Sequence, residues 1–129
     1  MSRTLGQERA QYCLQKLEKL RCDRAEFKPL TAGLPAMILQ NGFGQTLAFL
    51  ISKEKNKEQK EQNGDKHRTA FDIITEWLIK RKLIHQGKPS DILKQISEME
   101  QSKYLQAQKE TLAMLEWLKR YANAELLEE

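Results

Sequence analysis

The sequence predicts an all-α fold, a compact single domain of five to seven helices, and three observations carry that expectation. Apolar residues recur at the 3.6-residue helical period in most of the chain, while no stretch alternates with period two over the length a strand needs. Leu34 to Ile51, LPAMILQNGFGQTLAFLI, runs eighteen residues without a formal charge in a chain where charged residues make up 31%. This segment and a long C-terminal helix are the two parts with most apolar surface to bury. At 129 residues the chain has the size of one domain, able to bury roughly two thirds of the surface its unfolded form exposes.

From about Thr4 to Leu20, the residues Ala10, Cys13, Leu14, Leu17 and Leu20 fall on one side at 100° per residue, which predicts the first helix. Around the cylinder from that face, Arg9, Tyr12, Lys16 and Lys19 are spaced 3, 4 and 3 apart and share a stripe. Cations interleaved with an aromatic ring suit a nucleic-acid strand, with charge for phosphates and a flat face for a base. The structural alternative is a solvated helix face with one half-buried tyrosine. Either Cys22 or Asp23 closes this helix. If Cys13 and Cys22 both lie on it, their Cα atoms are about 13 Å apart, too far for a disulfide.

Ala25 to Leu39 is expected to be helical again, with an interruption at Gly33-Leu34-Pro35, because proline suits a first helical turn. Asn41 and Gly42 tolerate backbone conformations found at helix ends, so this piece should stop there. A second short helix follows, with Phe43, Leu47, Leu50 and Ile51 on one side and Ala48 and Phe49 filling the rest, so it should be enclosed on nearly every side. The uncharged run touches the minimum length of a membrane span, but two glycines, a proline and four polar side chains argue for a water-soluble core.

Residues 53–67, KEKNKEQKEQNGDKH, contain no apolar side chain, which predicts a flexible charged loop or a frayed, solvent-exposed helix extension. Thr69 to Ile84 is a further helix with Ala70, Phe71, Ile73, Ile74, Trp77 and Leu78 on a broad face. Extended helically, Arg81 would point along that face, so either the helix has ended or Arg81 reaches an acid or a ligand. Gly87-Lys88-Pro89 is a turn, Ser90-Asp91 can cap a short helix carrying Ile92, Leu93 and Ile96, and Ser97 to Glu100 reads as a capping box. The last helix should then run from about Glu98 to Leu126, with Tyr104, Ala107, Thr111, Leu115, Leu118 and Ala122 as its seam, widened by Leu112 and Met114. Trp117 and Tyr121 sit toward the other edge. They read as part of a helix central to a bundle or, alternatively, as a docking site for a partner protein.

Charge is unevenly spread. The net charge is +4, but residues 1–28 hold seven Lys/Arg against four Asp/Glu, residues 66–94 seven against three, and residues 95–129 four against seven. The basic excess fits a polyanion partner or a solubilising surface. Catalytic chemistry has little support: His67 and His85 have no cysteine or carboxylate at ligand spacing, and Asn41 to Thr46 lacks both the lysine and the preceding strand of a phosphate-binding loop. The residues therefore read as a non-enzyme without cofactor, metal or small-molecule substrate. The amino terminus carries neither an apolar signal core nor an acylation pattern, and the expected location is cytoplasmic, without membrane attachment.

Three strings go beyond general physics. Gln7-Glu8-Arg9-Ala10, the segment from Leu34 to Leu50 centred on Asn41-Gly42-Phe43-Gly44-Gln45-Thr46, and Glu110 to Leu126 with Trp117-Leu118-Lys119-Arg120 together resemble the small subunit of the Cmr complex, the type III-B CRISPR RNA-guided effector. The resemblance covers both ends and the centre of the chain in the right order. Phe43 stands where the family pattern leads one to expect leucine, and Tyr121 where it leads one to expect phenylalanine. It implies a non-catalytic α-helical subunit that stacks head to tail with further copies of itself beside the backbone subunits, near the large subunit, and helps enclose the guide–target RNA duplex. By that analogy Arg9, Tyr12, Lys16, Lys19, Arg81, Lys119 and Arg120 are the candidate contacts to target RNA or to acidic neighbours. The alternative is a free-standing helical adaptor that binds only protein.

Overall fold

A computed structural model describes residues 2–54 and 64–124. Most of the charged segment 53–67 and the expected helix end at Leu126 therefore lie outside the described residues. Six helices follow in order: α1 (Leu5–Glu18), α2 (Arg24–Asn41), α3 (Phe43–Ser52), α4 (Lys66–Lys80), α5 (Pro89–Glu98) and α6 (Gln101–Ala124), with no strand among the described residues.

Short polar side chains start three of these six helices. The hydroxyl of Thr4 accepts from the Gln7 N–H at 3.1 Å while the Gln7 side chain accepts from the Thr4 N–H at 2.8 Å, a reciprocal cap for α1. Asp23 accepts from the Ala25 N–H to open α2, and Asp65 accepts from the N–H groups of His67 and Arg68 to open α4. That aspartate begins α4 three residues before the expected Thr69, so Lys66 and His67 are helical rather than part of the loop. Ser90 and Ser97 do not cap as expected. Instead Pro89 occupies the first turn of α5, Asp91 accepts from the Lys88 N–H at 3.0 Å, and the Ser97 hydroxyl donates to the Lys94 carbonyl within α5.

The expected break at Gly33-Leu34-Pro35 is absent, and α2 continues through both Pro29 and Pro35. A helix-interior proline costs about 3 kcal/mol. Against that, Phe27, Leu34 and Ile38 are each buried along one side of α2, and each such side chain contributes about 1.5–3 kcal/mol. Together the three contribute about 4.5–9 kcal/mol against about 6 kcal/mol for the two prolines, so packing is large enough to offset the local breaking tendency. The helix stops instead at Gly42, with φ 99° and ψ 155°, a conformation essentially reserved for glycine.

Around this turn α3 folds back and packs against α2, α4 and α5. Phe43, Thr46, Leu47 and Leu50 are buried, but Gln45 and Ala48 face solvent, so α3 is enclosed on one side rather than on nearly all. Its N-terminal turn is closed by α6: the Gly44 N–H donates to the Tyr104 hydroxyl at 2.8 Å, and the Tyr104 ring stands edge-on to Phe43 at 5.7 Å between centroids. The amide that an anion would have used is committed to the protein's own side chain.

The long helix α6 packs against α1, α2 and α4. Ala107, Thr111, Met114, Leu115 and Leu118 are buried on it, with Leu112, Tyr104, Tyr121 and Ala122 at the margin of the same core. The contacts Arg9 to Glu110 and Cys13 to Met114 advance together along both helices, so α1 and α6 run parallel. Cys13 and Cys22 are both buried and free, and Cys22 lies beyond the end of α1 rather than on it.

Helix α4 ends at Lys80, four residues before Ile84. The Leu83 N–H donates to the Leu78 carbonyl and the Lys82 N–H to the Ile79 carbonyl, both at 2.9 Å, which is the paired closure of a helix C-terminus. Lys82 occupies the left-handed position of that closure, at φ 64°, where glycine carries no steric penalty. Lys82→Gly is therefore expected to raise stability by about 0.5–1 kcal/mol, read as a higher midpoint in urea unfolding with an unchanged slope. A lower midpoint would mean that the lysine side chain contributes more than its backbone costs.

Candidate nucleic-acid interface

The seven candidate residues are not one surface. Arg9 and Tyr12, expected on an open basic stripe, turn inward. Arg9 forms a two-pronged ion pair with Glu110 on α6, Nε to Oε2 at 2.7 Å and Nη2 to Oε1 at 3.0 Å. The same Oε2 accepts from the indole N–H of Trp77 on α4 at 2.9 Å, so one carboxylate ties α1, α4 and α6 together. Glu110 is held below the usual carboxylate range. Its partial burial opposes ionisation, but the Arg9 and Trp77 hydrogen bonds and the charges of Arg9 and Arg81 more than offset that. Arg9 is correspondingly raised by its hydrogen bond to Glu110.

Tyr12 is buried against Trp77, with ring centroids 4.9 Å apart, and its hydroxyl donates to the Ile73 carbonyl at 2.5 Å. Burial pushes its phenol well above the ordinary range. Cys13, one residue on, donates its thiol to the Met114 carbonyl at 3.4 Å, and burial pushes it up to about 12. Neither group is a nucleophile near neutral pH.

The remaining candidates stay at the surface in two groups. Lys16 pairs with Glu76 and lies 5.4 Å from the centre of the Tyr12 ring. Lys19 caps the C-terminus of α1, where a cation is favoured by the helix dipole, and is exposed without an ion pair among the described residues. Lys119 lies 3.7 Å from Glu116 one turn earlier on α6, and Arg120 is exposed without such a partner among the described residues. The parallel register of α1 and α6 brings these four to the same end of the bundle. Arg81 is at the opposite end of α1, with its guanidinium 4.0 Å from Glu8. Both of the alternatives its position suggested hold: the helix has ended at Lys80, and Arg81 faces an acid.

Sequence reasoning missed Glu110 and the indole of Trp77. Arg9 and Glu110 are a hundred and one positions apart, and no local pattern signals such a pair. Trp117 and Tyr121 are one turn apart as expected, with ring centroids at 5.7 Å and an interplanar angle of 48°, and Trp117 is 36% exposed. Among the described residues, no three or more His, Cys, Asp or Glu side chains converge in a way that could hold a metal ion, and no helix is long and apolar enough to cross a membrane.

Residues 5–125 match the family described as CRISPR-associated protein (Cas_Cmr5). A CRISPR system Cmr subunit Cmr5 from Thermus thermophilus is 30% identical over 106 residues, covering 82% of this chain and 79% of that protein. The crystal structure of a CRISPR-associated Cmr5 family protein, also from Thermus thermophilus, superimposes with a TM-score of 0.74 at 26% identity, covering 97% of this chain and 99% of that one.

Proposed function

This chain belongs to the Cmr5 family and is the small subunit of a Cmr, type III-B CRISPR complex; from that premise we propose that it acts there as a non-catalytic block which stacks along the backbone subunits and helps hold the guide–target RNA duplex. The observation that carries the reading is the sorting of its polar groups. Its partly buried ion pairs include Arg9–Glu110, which ties helices together, and Arg68–Asp72, and the buried Tyr12, Cys13 and Cys22 are held protonated, so these groups are committed to the protein itself rather than to chemistry. Lys16, Lys19, Lys119 and Arg120 lie outside, at one end of the parallel α1–α6 pair, where cations can meet phosphates without reading a base. Other copies of the chain and other Cmr subunits are its protein partners in this reading, and the cytoplasm its location.

The test is retention of single-stranded RNA on filters at low and raised salt, alongside assembly with the other subunits, for the wild type and for Lys16, Lys19, Lys119 and Arg120 together reversed to glutamate. RNA affinity is expected to fall with salt in the wild type, by a log–log slope of about −0.7 per phosphate contact, and the reversed variant should lose most of that slope with helical circular dichroism unchanged. Unchanged retention and unchanged assembly in the variant would overturn the assignment of these four residues. Arg9 is left out of the set, because reversing it would break the Glu110 tie and confuse unfolding with lost binding.

A further inference from the structure

Trp117 is one of three large hydrophobic residues exposed in the described structure, and the one of them whose ring is paired with a second aromatic. Trp117 and Tyr121 are seven and eleven residues past Glu110, which at 100° per residue puts both within about 20° of its direction around α6. They therefore continue the side that Glu110 and Met114 present to α1. Helix α1, however, ends at Glu18. Continuing the register of Arg9 with Glu110 and Cys13 with Met114 sets Lys16 and Leu17 level with Trp117 and Leu118, and Lys19 level with Arg120. The buried Leu17 and Leu118 lie beneath; exposed Trp117 stands level with the last turn of α1, and Tyr121, half-buried against the core, stands just past its end.

We propose that Trp117 and Tyr121, flanked by Lys19 and Arg120, form a platform on which unpaired bases of a single-stranded nucleic acid stack. The proposal rests on the RNA-contact reading above and adds a surface for bases that are unpaired, outside the guide–target duplex. Flat rings next to cations are the combination that binds single strands without sequence preference. A protein hot spot instead sits within a collar of packed contacts that exclude water. Here the other two exposed apolar residues are elsewhere: Leu39 is on α2, and Leu105 is twelve residues up α6, about 18 Å away along its axis. The acids nearby among the described residues are Glu116, which is paired with Lys119, Glu76, which is paired with Lys16, and the exposed Glu18 at the end of α1.

Tryptophan emission tests this directly, since the chain has two tryptophans and Trp77 is fully buried. Titrating the full chain with decauridylate at low salt is expected to quench Trp117 saturably. Trp117→Leu should weaken binding by about 5–150-fold, the range for loss of one stacked base, while the emission of Trp77 reports that the variant is folded. Lys19→Glu with Arg120→Glu should weaken binding and flatten its salt dependence, and heparin, a polyanion without bases, should leave the emission unchanged. Binding without quenching, quenching by heparin, or wild-type affinity in Trp117→Leu would overturn the platform while leaving phosphate contact in place. No binding of decauridylate by the wild type at low salt would overturn the RNA-contact reading together with it, and quenching by another purified Cmr subunit but not by RNA would reassign the ring pair to protein docking.

Discussion

Glu110→Ala will lower folding stability by about 2–4 kcal/mol, the largest effect expected of any single side chain outside the apolar core. The carboxylate accepts three hydrogen bonds, two from Arg9 and one from Trp77. Removing it leaves a guanidinium whose side chain is 20% exposed facing a partly apolar wall, and an indole N–H with no acceptor in a fully buried ring. For a chain of this length the thermal midpoint should drop by about 8–15 °C. Glu110→Gln keeps the side-chain carbons and an oxygen able to accept from Trp77 and should cost less. A drop of under about 1 kcal/mol in Glu110→Ala would show that water replaces the carboxylate and that the three helices are held by packing alone.

The same residue sets a pH dependence. The folded-state pKa of Glu110 is depressed, so its contribution is fully present above the unfolded carboxylate value of about 4.3 and is lost as pH falls through the lower folded value. The stability gap between wild type and Glu110→Gln should therefore narrow as pH falls from about 5 toward about 2. Asp72 acts in the opposite direction, because burial raises its pKa despite the 2.9 Å bond from Arg68. It is present in both proteins and cancels in the comparison. A gap that stays constant across this range would mean that Glu110 titrates alike in the folded and unfolded chains.

Gly42→Ala will cost about 1–3 kcal/mol although space is available for the added carbon. The nearest atom to a Cβ at position 42 is the Tyr104 hydroxyl at 3.8 Å, an ordinary contact, so the penalty comes from the backbone at φ 99°. Gly44 provides the contrast. A Cβ there would meet Tyr104 at 3.4 Å and Ile96 at 3.6 Å without an unfavourable φ, so Gly44→Ala should be close to neutral. Equal losses at both positions by denaturant unfolding would mean that crowding against Tyr104, rather than the turn conformation, is what excludes a side chain.

Much of this architecture could be read before any coordinates. Asn41-Gly42 ends one helix and Gly44 lies in the first turn of the next within an uncharged run, a local signal that tertiary packing did not override. The proline at position 35 gave the opposite lesson. It reads locally as a start, but α2 passes through it, as through Pro29, because burial of Phe27, Leu34 and Ile38 along one side of the helix is large enough to offset the lost bonds and crowding at the prolines. The stripe of Arg9, Tyr12, Lys16 and Lys19 was visible as a spacing, yet a spacing cannot say what faces it. Glu110, a hundred and one residues from Arg9, turned the first half of the stripe inward and left the second half outside.

Sequence alone determined the helical class, where most of the helices fall and the family, because helical period, caps and turn residues act within a few positions and the family strings are contiguous. Which cations are free, which aromatic rings meet solvent, and that α1 lies parallel to α6 were decided only in three dimensions. Those properties depend on groups brought together from opposite ends of the chain, where the electrostatic and packing energy of a pair is set by distance in space and bears no mark in the local order of residues.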